Sequence, residues 1–349
     1  MQVFFNPLQA QHQGRHEMFR GRLVPCVEVP DRVEHVRAEL MRRGIGRFAV
    51  PTPVDDALLH KLHTPRYLHF LQTAWNDWLT LDPANAAFDL LPSVWPAPGM
   101  RRDPLPKELS ARVGLFAFDA GSPITAGTWA AARVGADCAV SAAQALVAGE
   151  PCAFALTRPP GHHAGADFYG GYCFLNNAAL AAQALRDGGL ARVAIVDVDY
   201  HHGNGTQSLF YERADVLTVS LHGDPHTEYP FYLGHADEQG DGDGSGFNAN
   251  FPLPAGSGNE AWFAALDAAL ARLRGYDPEL LIVSLGVDTY VGDPIAHFRL
   301  DRPEYTRLGQ RLAAFGRPTL FAQEGGYATA EIGRNVLAVL RGFDGGGPP

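Results

Sequence analysis

The chain has 349 residues, 46% hydrophobic and 19% charged, and a formal net charge of −10. Such a composition supplies a sizeable core, excludes a disordered or low-complexity chain, and suits one domain over 1–349. The acidic balance, with no run of Lys or Arg, argues against a nucleic-acid partner and weakly favours a cationic substrate, and no stretch is long and apolar enough to cross a bilayer.

From the start, Met1-Gln2-Val3-Phe4-Phe5-Asn6-Pro7 has neither a basic segment followed by a long apolar one nor a small-residue cleavage site, so no secretory signal is expected. Cys26, Cys138, Cys152 and Cys173 show no CxxC spacing and are too few for a disulfide framework, which suits a reducing cytoplasm. Residues 81–106 hold Pro83, Pro92, Pro96, Pro98, Pro104 and Pro106 around Trp95, an insertion, taken to about 108, that can be neither helix nor central strand. Loops of that length in compact domains tend to be functional or interface-forming. Beyond it, apolar β-rich runs alternate with helical patterns. Strands are expected at 152–156, 193–198, 216–220, 280–285 and 319–322, with helices at 177–187, 206–211, 260–274, 303–315 and 330–340. The alternation predicts a doubly wound α/β fold with a mostly parallel sheet flanked by helices on both faces. Residues 234–258, with Gly240-Asp241-Gly242-Asp243-Gly244, read as a turn-rich connection without EF-hand spacing.

In such folds the chemistry gathers in loops after the carboxyl ends of strands, and four of these loops carry unusual residues. They are Arg158-Pro159-Pro160-Gly161-His162-His163, Asp197-Val198-Asp199-Tyr200-His201-His202-Gly203-Asn204-Gly205, Gly286-Val287-Asp288 and Glu324-Gly325-Gly326-Tyr327. Residues 199 and 201 share one side of an extended chain, so Asp199 and His201 can converge with Asp288 on a metal ion. Imidazole nitrogen and carboxylate oxygen suit Zn²⁺, and three protein ligands leave room for water and substrate. His162 and His163 supply imidazoles able to act as base or acid, with Asp197 and Asn204 as the nearest orienting groups. Tyr327, after two glycines, offers a phenol to an oxygen that gains charge.

These four motifs resemble the signatures of the zinc-dependent histone deacetylase superfamily. Gly170-Gly171-Tyr172-Cys173-Phe174-Leu175-Asn176-Asn177, Ser220-Leu221-His222-Gly223-Asp224-Pro225 and Val287-Asp288-Thr289-Tyr290 are most similar to the bacterial acetylpolyamine amidohydrolases. The resemblance implies an arginase-deacetylase fold and zinc-dependent hydrolysis of acetylated polyamines or diamines through a metal-activated water. By carry-over, one Zn²⁺ sits on Asp199, His201 and Asp288. His163, backed by Asn204, is the base and then the acid, His162, backed by Asp197, acts electrostatically, and Tyr327 polarises the acetyl carbonyl. The resemblance also implies a structural K⁺ at Asp197, Asp199, His201, Ser220 and Leu221. It places the channel at Gly171, Tyr172, Tyr229 and Ile295, makes Asp119 a rim aspartate that meets substrate, and has Arg32 line an acetate exit. In the family the Pro-rich insertion is associated with a homodimer interface that narrows the channel mouth.

Two positions depart from the polyamine-handling pattern, Ser110 and Gly121 standing where glutamates are expected, which leaves Glu17, Glu108 and Asp119 as acidic contacts. A broader deacylase acting on acetyllysine peptides or other acylated amines is the alternative. An arginase-type ureohydrolase would want an Asp-x-Asp pair where only Asp288 stands, and a silent acyl-amine binder has no support while His162, His163 and Tyr327 are all present.

Overall fold

Short apolar runs at the N-terminus open the main sheet, a role their length alone does not announce. The computed structural model describes residues 1–345. In chain order the elements are β1 (Gln2–Phe5), β2 (His16–Phe19), β3 (Arg22–Pro25), α1 (Asp31–Arg43), β4 (Arg47–Ala49), α2 (Asp56–Leu62), α3 (Pro65–Leu81), α4 (Leu109–Phe116) and α5 (Thr128–Val147). There follow β5 (Cys152–Leu156), α6 (Asn177–Asp187), β6 (Val193–Asp197), α7 (Asn204–Phe210), β7 (Val216–Gly223), β8 (Asn248–Leu253), α8 (Asn259–Tyr276), β9 (Leu280–Leu285), α9 (Arg302–Ala313), β10 (Thr319–Gln323) and α10 (Thr329–Phe343).

Eight strands form one sheet in the order β4-β1-β5-β10-β9-β6-β7-β8, and every neighbouring pair is parallel. Parallel strands covered by helices on both faces need continuous apolar runs rather than alternation, and β5, β6, β9 and β10 are buried along their whole lengths. On one face, α3, α5 and α6 pack over Phe4, Ala153, Ile195 and Leu320; on the other, α1, α8, α9 and α10 cover Val3, Phe154, Val196 and Phe321. Each fully buried large apolar side chain, such as Phe154, contributes roughly 1.5–3 kcal/mol.

Helix ends follow local chemistry. Thr64 accepts from Tyr67 N ahead of Pro65 to start α3, Asp301 and Glu304 make a reciprocal cap on α9, and Gly44 at φ 66 closes α1. The expected elements from 152 onward are all present within a few residues of their bounds. One expectation is corrected: residues 234–258 contain the edge strand β8, whose Asn248, Asn250 and Pro252 are poor strand formers that only an edge tolerates. The Pro-rich insertion has one 3-10 turn, Pro83–Ala87, and is fastened by the Leu90–Ile124 bridge and by Trp95 Nε1 donating to Ala117 O at 3.0 Å.

Candidate active site

The strands β5, β10, β9 and β6 are consecutive neighbours, so the four motif loops leave the sheet side by side. Asp199 and His201 follow β6, Asp288 follows β9, and one ligand atom of each lies within 4.8 Å of the others. His201 Nδ1 is 3.2 Å from Asp199 Oδ1 and 3.0 Å from Asp288 Oδ2. Backbone amides fix the carboxylates: Tyr200 N donates to Asp288 Oδ1 at 2.8 Å, and Gly325 N to Asp199 Oδ2 at 2.8 Å. A Cβ at Gly286 or Gly325 would fall on the Asp199 carboxylate, so glycine is what lets the two loops close around it. Burial and the adjacent Asp199 push the Asp288 carboxyl up to about 8, whereas at Asp199 the His162 and His201 imidazoles outweigh burial and hold the carboxyl low. Two buried carboxylates, each held by backbone amides and both crowding one imidazole, form a donor set that fits a borderline-soft divalent cation.

The paired histidines stand beside this cluster with ring centroids 4.0 Å apart and unlike partners. His162 Nδ1 is 2.8 Å from Asp197 Oδ2, and His163 Nδ1 is 2.6 Å from Asn204 Oδ1. Burial disfavours the charged ring in both. At His162 the Asp197 and Asp199 carboxylates overcome it and raise the pKa, whereas His163, facing a neutral amide and the His162 and His201 rings, is driven well below 6.5. The loop bearing them is pinned from below: Glu324 Oε2 accepts from Gly161 N at 2.7 Å and His162 N at 3.2 Å.

Tyr327 follows Gly326, whose φ of 124 favours glycine. Its amide donates to Asp293 Oδ2 at 2.7 Å, and the Arg32 guanidinium lies 4.6 Å from its ring centroid. Arg32 itself is buried, donating to Gly326 O and Glu324 O, each at 2.6 Å, and to Glu28 at 2.7 Å. These groups end in a pocket of about 470 Å³ lined by His163, His201, Tyr327, Gly171, Tyr172, Tyr229, Ile295, Phe118, Asp119, Gly121 and Glu17. Tyr229 stands edge-on to His163 at 5.3 Å and stacks on Phe118 at 6.0 Å, and Tyr172 meets Tyr327 at 5.6 Å.

All the expected metal, catalytic and channel residues therefore meet in one place, with two qualifications of chemistry. Asp119 is committed to its own surroundings: Oδ2 accepts from Gly171 N at 2.8 Å and Tyr229 OH at 2.7 Å, and Oδ1 accepts from Gly121 N at 3.1 Å and Ser122 Oγ at 3.3 Å. Glu108 and Ser110 lie away from the pocket, Ser110 half-buried and Glu108 exposed, where Glu108 caps α4 by accepting from Ala111 N at 2.9 Å. Glu17, on β2, does reach the pocket; it accepts from Tyr172 OH at 3.0 Å, and burial pushes its carboxyl up to about 7. At the expected K⁺ position, Asp197 pairs in register with Ser220, its Oδ1 accepts from Asp199 N at 3.1 Å, and Ser220 Oγ sits 2.8 Å from His222 Nδ1. Phe118 and Asp293 escaped the sequence reading, because a lone aromatic beside an aspartate and an Asp in a turn carry no local signal.

A family model described as the histone deacetylase domain matches residues 26–343. Acetylpolyamine amidohydrolase 2 of Pseudomonas aeruginosa is 50% identical over 334 residues, covering 96% of each chain. The acetylpolyamine amidohydrolase of Mycoplana ramosa is 42% identical over 99% of this chain and all of its own. The crystal structure of the acetylpolyamine aminohydrolase from Burkholderia pseudomallei superposes with a TM-score of 0.93 at 39% identity, covering 98% of both chains. With the family model matching residues 26–343 and relatives matched over nearly its whole length, the chain belongs to the histone deacetylase family.

Proposed function

We propose that this protein is a zinc-dependent amidohydrolase that cleaves acetyl groups from short acetylated diamines and polyamines. The observation that carries the reading is the unlike pairing of the two histidines, His162 to a carboxylate and His163 to an amide, beside a buried Asp-His-Asp cluster at the floor of an aromatic channel. Zn²⁺ held by Asp199, His201 and Asp288 supplies a Lewis acid toward the acetyl carbonyl and lowers the pKa of water.

The chain's own groups do the rest. Neutral His163 takes a proton from the attacking water as the new C–O bond forms, and returns it to the amine nitrogen as the C–N bond breaks. His162, kept cationic by Asp197, stabilises the negative charge that builds up beside it. The Tyr327 hydroxyl donates a hydrogen bond to the carbonyl oxygen as that oxygen gains charge. Arg32 holds the Tyr327 ring and the backbone on either side of Gly325 in place. Acetate and the free amine are the products.

The channel argues for a slender substrate. Tyr172 and Tyr229 flank the path with Gly171 and Ile295, and their faces suit an alkyl chain. Glu17, next to Met18 on β2, is the acidic group lining that path whose surroundings leave it able to meet a distal ammonium, while Asp119 serves to hold the walls. The names of the relatives from Pseudomonas and Mycoplana agree with this substrate class. The same reading includes a structural K⁺ near Asp197, Asp199, His201, Ser220 and Leu221, one domain over 1–349 and a cytoplasmic location. It also includes a homodimer through the insertion, whose Phe88, Val94, Trp95 and Met100 are exposed apolar groups. The alternative, a broader deacylase, draws on Ser110 and Gly121, which lack the carboxylates a long polycation would seek.

Side-by-side measurement of kcat/KM decides between them: a short acetylated diamine is expected to be turned over faster than an acetyllysine peptide, and the reverse order would overturn the polyamine reading. Chelation is expected to abolish hydrolysis of both, with recovery on adding back one equivalent of Zn²⁺.

A further inference from the structure

Beneath the paired histidines lies a second set of metal-type donors. His162, Cys173 and Glu324 each offer one ligand atom within 4.8 Å of the other two. None is more than 3% exposed. Glu324 spends Oε2 on the amides of Gly161 and His162, yet its Oε1 is buried with no hydrogen-bond partner among the described residues. A buried carboxylate oxygen without a partner from the protein is an unmet electrostatic demand, and a cation is one way to meet it. Cys173 is free of any disulfide. Imidazole nitrogen, thiolate sulfur and carboxylate oxygen together are a zinc-type set, softer than Asp199, His201 and Asp288 because sulfur replaces an oxygen.

We propose that His162, Cys173 and Glu324 form a second, inhibitory site for a borderline-soft divalent cation such as Zn²⁺. The step is a ligand exchange without redox change: the metal bonds to the Cys173 sulfur and the His162 ring nitrogen, the thiol proton and the His162 imidazolium proton leave to solvent, and no electrons are transferred. Because the His162 imidazole becomes a ligand, it is withdrawn from the reacting centre. Excess metal thus stops an enzyme that needs one metal to work. The inhibitory consequence rests on the deacetylase reading, whereas the metal site stands on the donors alone.

The test uses the zinc-loaded full chain titrated with Co²⁺. The first site carries no sulfur, so a near-ultraviolet thiolate-to-cobalt charge-transfer band reports the second site specifically. A second metal equivalent is expected to bind with that band, while hydrolysis of an acetylated diamine falls by about 100-fold, the low end of what loss of one electrostatic stabiliser of the transition state costs. Cys173→Ala and Cys173→Ser are expected to keep one zinc, turn over at the unmodified rate, show no band and resist added metal. The site is overturned if the unmodified protein takes up no second equivalent, or if band and inhibition persist in both variants. Binding with the band but without inhibition overturns the regulatory half. If no substrate is hydrolysed at all, stoichiometry and band still judge the site, while the deacetylase reading fails separately.

Discussion

The floor and the mouth of the pocket are built on different principles. At the floor, His162 and His163 follow β5, Asp199 and His201 follow β6 and Asp288 follows β9; all five are buried, the two carboxylates held by backbone amides and the paired rings by Asp197 and Asn204. At the mouth, Met18, Phe19 and Arg20 come from the β2–β3 hairpin, and Phe231 and Tyr232 from a loop; Phe231 is 46% and Tyr232 89% exposed. The difference teaches that the reaction is preorganised by the sheet, while substrate choice is assigned to segments that can vary without disturbing it.

Changes at the floor should therefore act on kcat and changes at the mouth on KM. His163→Ala is expected to lower kcat by about 10²–10⁴ with little change in KM and with zinc retained; a variant within a few-fold of normal would remove His163 from the proton path. Tyr327→Phe is expected to cost about 10²–10³ in kcat, again with zinc content unchanged by metal analysis. An unaltered rate would break the assignment of an oxyanion donor at the floor.

Glu17 tests the other side. Its carboxyl ionises as pH rises through about 7, so KM for a cationic acetylated diamine is expected to fall above that pH. Glu17→Gln should flatten that dependence and raise KM at pH 8 by about tenfold, the scale of one hydrogen bond to a charged group. A KM profile identical in both proteins would mean that the mouth reads shape alone. The folded-state pKa is raised, so Glu17 costs no stability below about 4.5; the cost builds as pH climbs from there and is complete above about 7.

The floor was more legible in the sequence than the mouth, for physical reasons. Strands buried on both faces need apolar runs, and Leu280 to Leu285 or Val193 to Val196 announce themselves; polar residues directly after such runs fall on one sheet edge. Nothing comparable marks β4, a three-residue edge strand with two exposed positions, or β8 with its Pro252. Glu17 is legible as an acid but not as a buried one, because its burial comes from Tyr172, 155 positions away. Likewise the family resemblance makes Asp119 an acidic contact for substrate, and only the folded chain brings four donors of its own to it.

Those four donors matter most through Tyr172. With φ at 67 it occupies a left-handed conformation that a tyrosine adopts at a cost of order 1–3 kcal/mol, and it follows Gly171 at φ 53. Asp119 holds the Gly171 amide and Ser122 Oγ the Tyr172 amide at 2.8 Å, so the two residues act as a clasp on a sprung segment. Removing the Asp119 carboxylate should let that segment relax toward ordinary backbone angles and swing the Tyr172 ring. Short and long substrates alike would then lose turnover, as when a gauge is bent and misreads every part passed through it.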